Sequence, residues 1–141
     1  MRVALISCVK SKGTSAAPAG ELYTSPLFRA LRDYAITNAD VWYILSAEYG
    51  LLHPDQIVEP YERTLNNMPK RDRAVWAERV QKQLLEALPA GADVILLAGS
   101  RYREDLYPFL CAHGHSVVVP LEGLPLGKQL QRLKQLQSER I

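Results

Sequence analysis

The sequence predicts an α/β protein, a three-layer α/β/α arrangement around a four-stranded parallel sheet. Three observations predict it. Short apolar runs at 3–6, 41–45, 94–98 and 117–119 have the length and the aliphatic, β-branched character of strands. Segments with helical spacing separate them, and a βαβαβαβα alternation needs crossovers that make neighbouring strands parallel. The runs are almost continuously apolar, as strands covered on both faces are. A strand order of 2-1-3-4 is expected, which puts a switch point between the first and third strands.

The first strand, 3–6, leaves through Ser7-Cys8-Val9-Lys10-Ser11-Lys12-Gly13, and 14–20 reads as a surface loop. Ser25 is an N-cap with Pro26 at the first helical position. Leu27, Phe28, Leu31, Tyr34 and Ala35 then share one helical face, with Arg29, Arg32 and Asp33 opposite. The second strand ends at Ser46-Ala47, and Pro54 and Pro60 make 50–61 a loop or a set of broken turns. Pro69 starts a helix whose stripe is Trp76, Val80, Leu84 and Leu88, widened by Val75 and Leu85, and Pro89-Ala90-Gly91 stops it. After the third strand, a short helix through Leu106, Phe109 and Leu110 starts near Glu104, so Pro108 falls in its first turn. The fourth strand leads through Glu122 and Gly123 into a last helix carrying Leu126, Leu130, Leu133 and Leu136.

At 141 residues the chain is expected to form one domain with a sizeable core. No apolar run approaches the roughly 20 residues of a membrane span. The apolar start is too short for a signal peptide and reads as a strand, so a cytoplasmic protein with no membrane partner is expected. Two cysteines, Cys8 and Cys111, give no disulfide framework. With a net charge of +2, any affinity for nucleic acid must come from a local patch.

In an open parallel sheet the polar residues that follow the strands meet at one edge. Here these are Ser7, Cys8 and Lys10; Ser46, Glu48 and Tyr49; Ser100 and Arg101; and Glu122. This mixture suits an anionic ligand with a polar head, the cations and loop amides taking phosphate. Cys8 reads as a small packed residue, with catalysis the lesser reading although neighbouring lysines would lower its pKa. Lys10, Lys12 and Arg101 are either solvated or hold phosphate. Glu48 follows a buried strand, where a carboxylate is costly unless paired or used, so a salt bridge and a catalytic role both stand. With no Lys or Arg within four positions, its partner must come from another strand end, Lys10 or Arg101. Tyr23, Tyr49 and Tyr61 either pack or stack on a base. No dinucleotide fingerprint, P-loop or nucleophile elbow is present, and the pattern requires no cofactor. Cys111, His113 and His115 sit at the wrong end of the sheet and read as a core cysteine beside surface histidines, so no metal is expected.

The stretches SCVKSK, ELYTSPLF and WYILSAEYGLLHPDQIVEPYERTL together resemble a small uncharacterised bacterial domain family, most closely over the first half of the chain. The SAEYGLLHPDQIVEPY segment and LAGSRY at 97–102 are similar to the YaaA-type peroxide-stress family, whose members bind DNA. Ser7-Cys8-Val9-Lys10 with Tyr23-Thr24-Ser25 is similar to a stretch of archaeosine synthases, which modify a base in transfer RNA. By fold analogy the arrangement also resembles uracil-DNA glycosylases. The resemblances imply a nucleobase-directed enzyme with N-glycosidic or base-modifying chemistry on DNA, RNA or a nucleotide. Glu48, with Cys8 and Ser46, would be catalytic, and Ser7, Lys10, Lys12, Tyr23, Ser25, Tyr49, Tyr61, Ser100, Arg101 and Glu122 would bind substrate. The alternatives are a non-enzymatic DNA-binding stress-response protein and a small nucleotide- or metabolite-binding domain.

Overall fold

The computed structural model describes residues 1–7, 15–61, 65 and 68–138. β1 (Arg2–Ser7) is the centre of the sheet, as its wholly aliphatic interior requires. After it come β2 (Ala17–Pro18), α1 (Ala19–Leu22) and α2 (Pro26–Asn38), then β3 (Val41–Ser46), β4 (Gly50–Leu52), β5 (Ile57–Val58) and α3 (Lys70–Ala87). The chain continues through β6 (Asp93–Leu97), α4 (Ser100–Arg103), α5 (Leu106–Ala112), β7 (Ser116–Val118) and α6 (Leu126–Ser138). The main sheet has the order β4-β3-β1-β6-β7. β3, β1, β6 and β7 are mutually parallel, so the four anticipated strands take the order expected of them.

The strand count and the reading of 50–61 need correction. The sheet has five strands, because β4 folds back antiparallel on β3, pairing Ser46 with Gly50 and Ile44 with Leu52. The stretch 50–61 is therefore not simply loop, for it also contains β5, which pairs antiparallel with β2. Gly50 makes the fold-back possible with φ of 75°, a conformation that penalises any residue bearing a Cβ.

Alternate residues of the strands feed two cores. Val3, Leu5, Leu45, Val94 and Leu96 face Trp76, Ala77, Val80 and Leu84 of α3 and Leu106 and Leu110 of α5. Ala4, Ile6, Ile44, Ile95 and Leu97 face Leu22 of α1, Phe28, Leu31 and Ala35 of α2 and Leu133 of α6. Helices thus cover both faces. Ser25 caps α2 by accepting a hydrogen bond from the Phe28 amide at 3.0 Å, and Pro26 takes the first helical position. Pro108 is the third residue of α5, where its missing N–H breaks no helical bond. The stripe of α3 is narrower than its periodicity suggests: Val75 and Leu85 are exposed, because one flat sheet face reaches only the Trp76–Val80–Leu84 line. Cys111 is also exposed and not a core residue, since α5 turns its Leu106–Leu110 side to the sheet. Among the described residues, no helix is long and apolar enough to cross a membrane.

Candidate functional site

β3 delivers Ser46 to the carboxyl edge of the sheet, fully buried. Its Oγ donates to Tyr61 Oη at 2.8 Å and accepts from the amides of Tyr49 at 3.1 Å and Glu48 at 3.3 Å. The Tyr61 and Tyr23 hydroxyls then share a hydrogen bond of 2.6 Å. This chain of three hydroxyls fastens the strand end, the far end of the loop and the end of α1 to one another. Ser46 thus spends its proton and its acceptor positions on the protein itself and pins the turn.

The turn between β3 and β4 carries Glu48 and Tyr49, both half-buried. Arg79 of α3 donates to the Glu48 carbonyl at 3.1 Å and to the Tyr49 carbonyl at 3.0 Å. Trp76 Nε1 donates to the Ser46 carbonyl at 2.8 Å, and Gln83 Oε1 accepts from the Leu51 amide at 2.9 Å. The cation that reaches the Glu48 peptide thus comes from a helix that the residue spacing did not single out. Tyr49 Oη donates to the Glu59 carbonyl at 3.1 Å, and the Tyr49 and Tyr61 rings meet edge to face at 5.5 Å.

The loop beyond is equally tied down. The amides of Ala19 and Gly20 donate to the carbonyls of Gln56 and Pro54, each at 2.8 Å. Gly20 lies so close to Trp42 and Pro54 that a Cβ there would sit 3.1 and 3.2 Å from them. At Gly50 a Cβ would run into the carboxamide oxygen of Gln83. Gln83 could swing away only by releasing the Leu51 amide. Gly50→Ala should therefore lower stability by about 2–3 kcal/mol: roughly 1–2 for the left-handed backbone and about 1 for the lost hydrogen bond. Urea unfolding measures this, and a change below about 0.5 kcal/mol would contradict the close approach.

The other anticipated site residues fall as follows. Ser7 is buried at the end of β1, one strand from Ser46, with its neighbour Ile6 paired to both Ile44 and Leu97. Ser100 and Arg101 open α4 after β6 and are exposed, and Glu122 is exposed on the turn after β7. Tyr23 is packed against Phe28 at 4.8 Å and is 1% exposed, so its ring offers a base no face to stack on. Ser25 Oγ is engaged as the α2 cap. Cys8, Lys10 and Lys12 lie outside the described residues. Among the described residues no group of three or more His, Cys, Asp or Glu is arranged to hold a metal ion. His113 bonds its own helix at the Phe109 carbonyl and His115 accepts from the Ala92 amide, local roles both.

The protein is thus of the α/β class, with a mostly parallel five-stranded sheet whose carboxyl edge carries buried hydroxyls and a braced polar turn. The chain belongs to DUF6884, a family of unknown function, whose match spans residues 3–135. It is similar to the uncharacterized protein YfjM of Bacillus subtilis (strain 168), with 30% identity over 148 residues that cover 99% of this chain and 97% of that one. No solved structure matches it significantly.

Proposed function

We propose that this chain is a nucleobase-directed enzyme, acting by N-glycosidic or base-modifying chemistry on DNA, RNA or a nucleotide, with Glu48 as the acting group. The observation that carries the reading is the braced turn. A carboxylate-bearing residue sits at the carboxyl edge of a mostly parallel sheet, just after the strand that neighbours β1, on backbone fixed by five hydrogen bonds involving Ser46 and α3. An enzyme needs such fixity where a base or acid must meet a reacting atom. Tyr49 and Tyr61, half-buried and at the rim of the same turn, suit the flank of an extruded base. The likeness to uracil-DNA glycosylases in layer arrangement is an analogy of fold and agrees with this reading. In it Lys10, Lys12 and Arg101 hold phosphate.

The test is mass spectrometry for released or altered base after incubation with nucleotides, single- and double-stranded DNA and RNA. Binding to the polymers should weaken with salt, with a log–log slope of order one per phosphate contact. Lys10→Ala with Lys12→Ala should flatten that slope by about 2, if each lysine holds one phosphate, without changing Tm. Absence of binding to every oligonucleotide at low salt would remove the polymers and leave a small nucleotide or metabolite as ligand. Salt-dependent binding without turnover would favour a DNA-binding stress-response protein.

A further inference from the structure

Trp76, Arg79 and Gln83 are spaced by three and four along α3 and so share one side of the helix. Each of the three hydrogen-bonds backbone of the β3–β4 turn or of the strand residues that flank it. Trp76 holds the Ser46 carbonyl, Arg79 the Glu48 and Tyr49 carbonyls, and Gln83 the Leu51 amide, all between 2.8 and 3.1 Å. Arg79 is exposed, so burial does not hold its side chain in place. An exposed arginine left to itself explores many rotamers. Here a two-pronged guanidinium spans two successive carbonyls, which sets the orientation of both peptide planes.

We infer that Arg79, assisted by Gln83, is a positioning residue that fixes the Glu48 peptide and hence the direction of its carboxylate. The inference rests on the reading of Glu48 as the acting group. Ser46 holds the same turn from the amide side through the Glu48 and Tyr49 N–H groups. Arg79 holds it from the carbonyl side. A turn gripped on both sides has one conformation; released on one side, it gains others. Gly50, with its left-handed backbone and Gln83 against it, is the hinge that would admit them.

The test uses Arg79→Ala, Arg79→Lys and Gln83→Ala, with Lys82→Ala as a control at an exposed position of the same helix, where Lys82 pairs with Glu78. Amide hydrogen exchange reads the turn without any substrate. Arg79→Ala should speed exchange at Glu48, Tyr49 and Leu51 at least tenfold while β1 and β6 stay protected, and Lys82→Ala should change nothing. Gln83→Ala should act on Leu51 most. In the base-release assay Arg79→Ala should lower kcat about 10–100-fold with KM within twofold, and Arg79→Lys should recover part of the loss. Unchanged exchange in Arg79→Ala would overturn the inference whatever the activity. Faster exchange with kcat intact would overturn the positioning role alone. If the unmutated protein releases no base from any substrate, the enzyme reading fails, and the exchange result alone decides whether α3 sets the turn.

Discussion

Trp76→Ala should lower the free energy of unfolding by about 3–5 kcal/mol, the range for deleting a large buried aromatic side chain. Trp76 is 5% exposed in the core between α3 and the sheet, and its ring meets Tyr102 edge to face at 5.6 Å. It also donates to the Ser46 carbonyl, a buried acceptor that alanine leaves without this partner. Two variants separate these contributions. Trp76→Phe keeps most of the ring and loses the N–H, so it should cost about 1–3 kcal/mol. Urea unfolding gives both values. In a Trp42→Phe background the emission of Trp76 reports the same burial directly, and a solvent-like maximum would contradict the packing of α3.

Glu48→Gln should lower turnover by roughly 10²–10⁴, the usual range for a lost acid–base group, and leave ligand affinity nearly unchanged. The substitution keeps the shape of the side chain and the backbone by which Ser46 and Arg79 hold the residue. The loss should therefore appear in kcat and not in Tm. If the protein only binds nucleic acid, removing a negative charge near the phosphates should tighten binding instead. Unaltered turnover on a confirmed substrate would end the catalytic role of Glu48.

The backbone of this fold was largely legible because its information is local. Aliphatic runs, the Ser25-Pro26 cap and the Pro89-Ala90-Gly91 stop each specify an element from a few adjacent residues. β4 escaped because Gly50-Leu51-Leu52 is three residues long, and a glycine at its head reads as a hinge until something is seen to pair with it. Val75 and Leu85 misled because apolar spacing defines a stripe but not the width of the surface that covers it. The candidate site was legible as a set of strand ends but not as a set of roles. Ser46, Tyr23 and Ser25 looked available for a ligand and turn out to spend their hydroxyls on the protein itself. Arg79 and Gln83 left almost no trace. Their partners are backbone atoms about thirty residues away, and any residue at those positions would present the same carbonyl or amide. The faint signal was two polar residues four apart on the Trp76 side of an amphipathic helix.

The capped β4 edge also bears on how the protein behaves when concentrated. An unpaired strand edge invites a strand from a neighbouring molecule, the first step of sheet-to-sheet aggregation. Of the three amides in β4, the antiparallel alternation directs two toward β3, and Gln83 takes the third. An incoming chain finds no donor there. β7 closes the other side of the sheet with three residues and an exposed Val118. The two edges of the main sheet are thus defended by different means, β4 by occupancy and β7 by brevity.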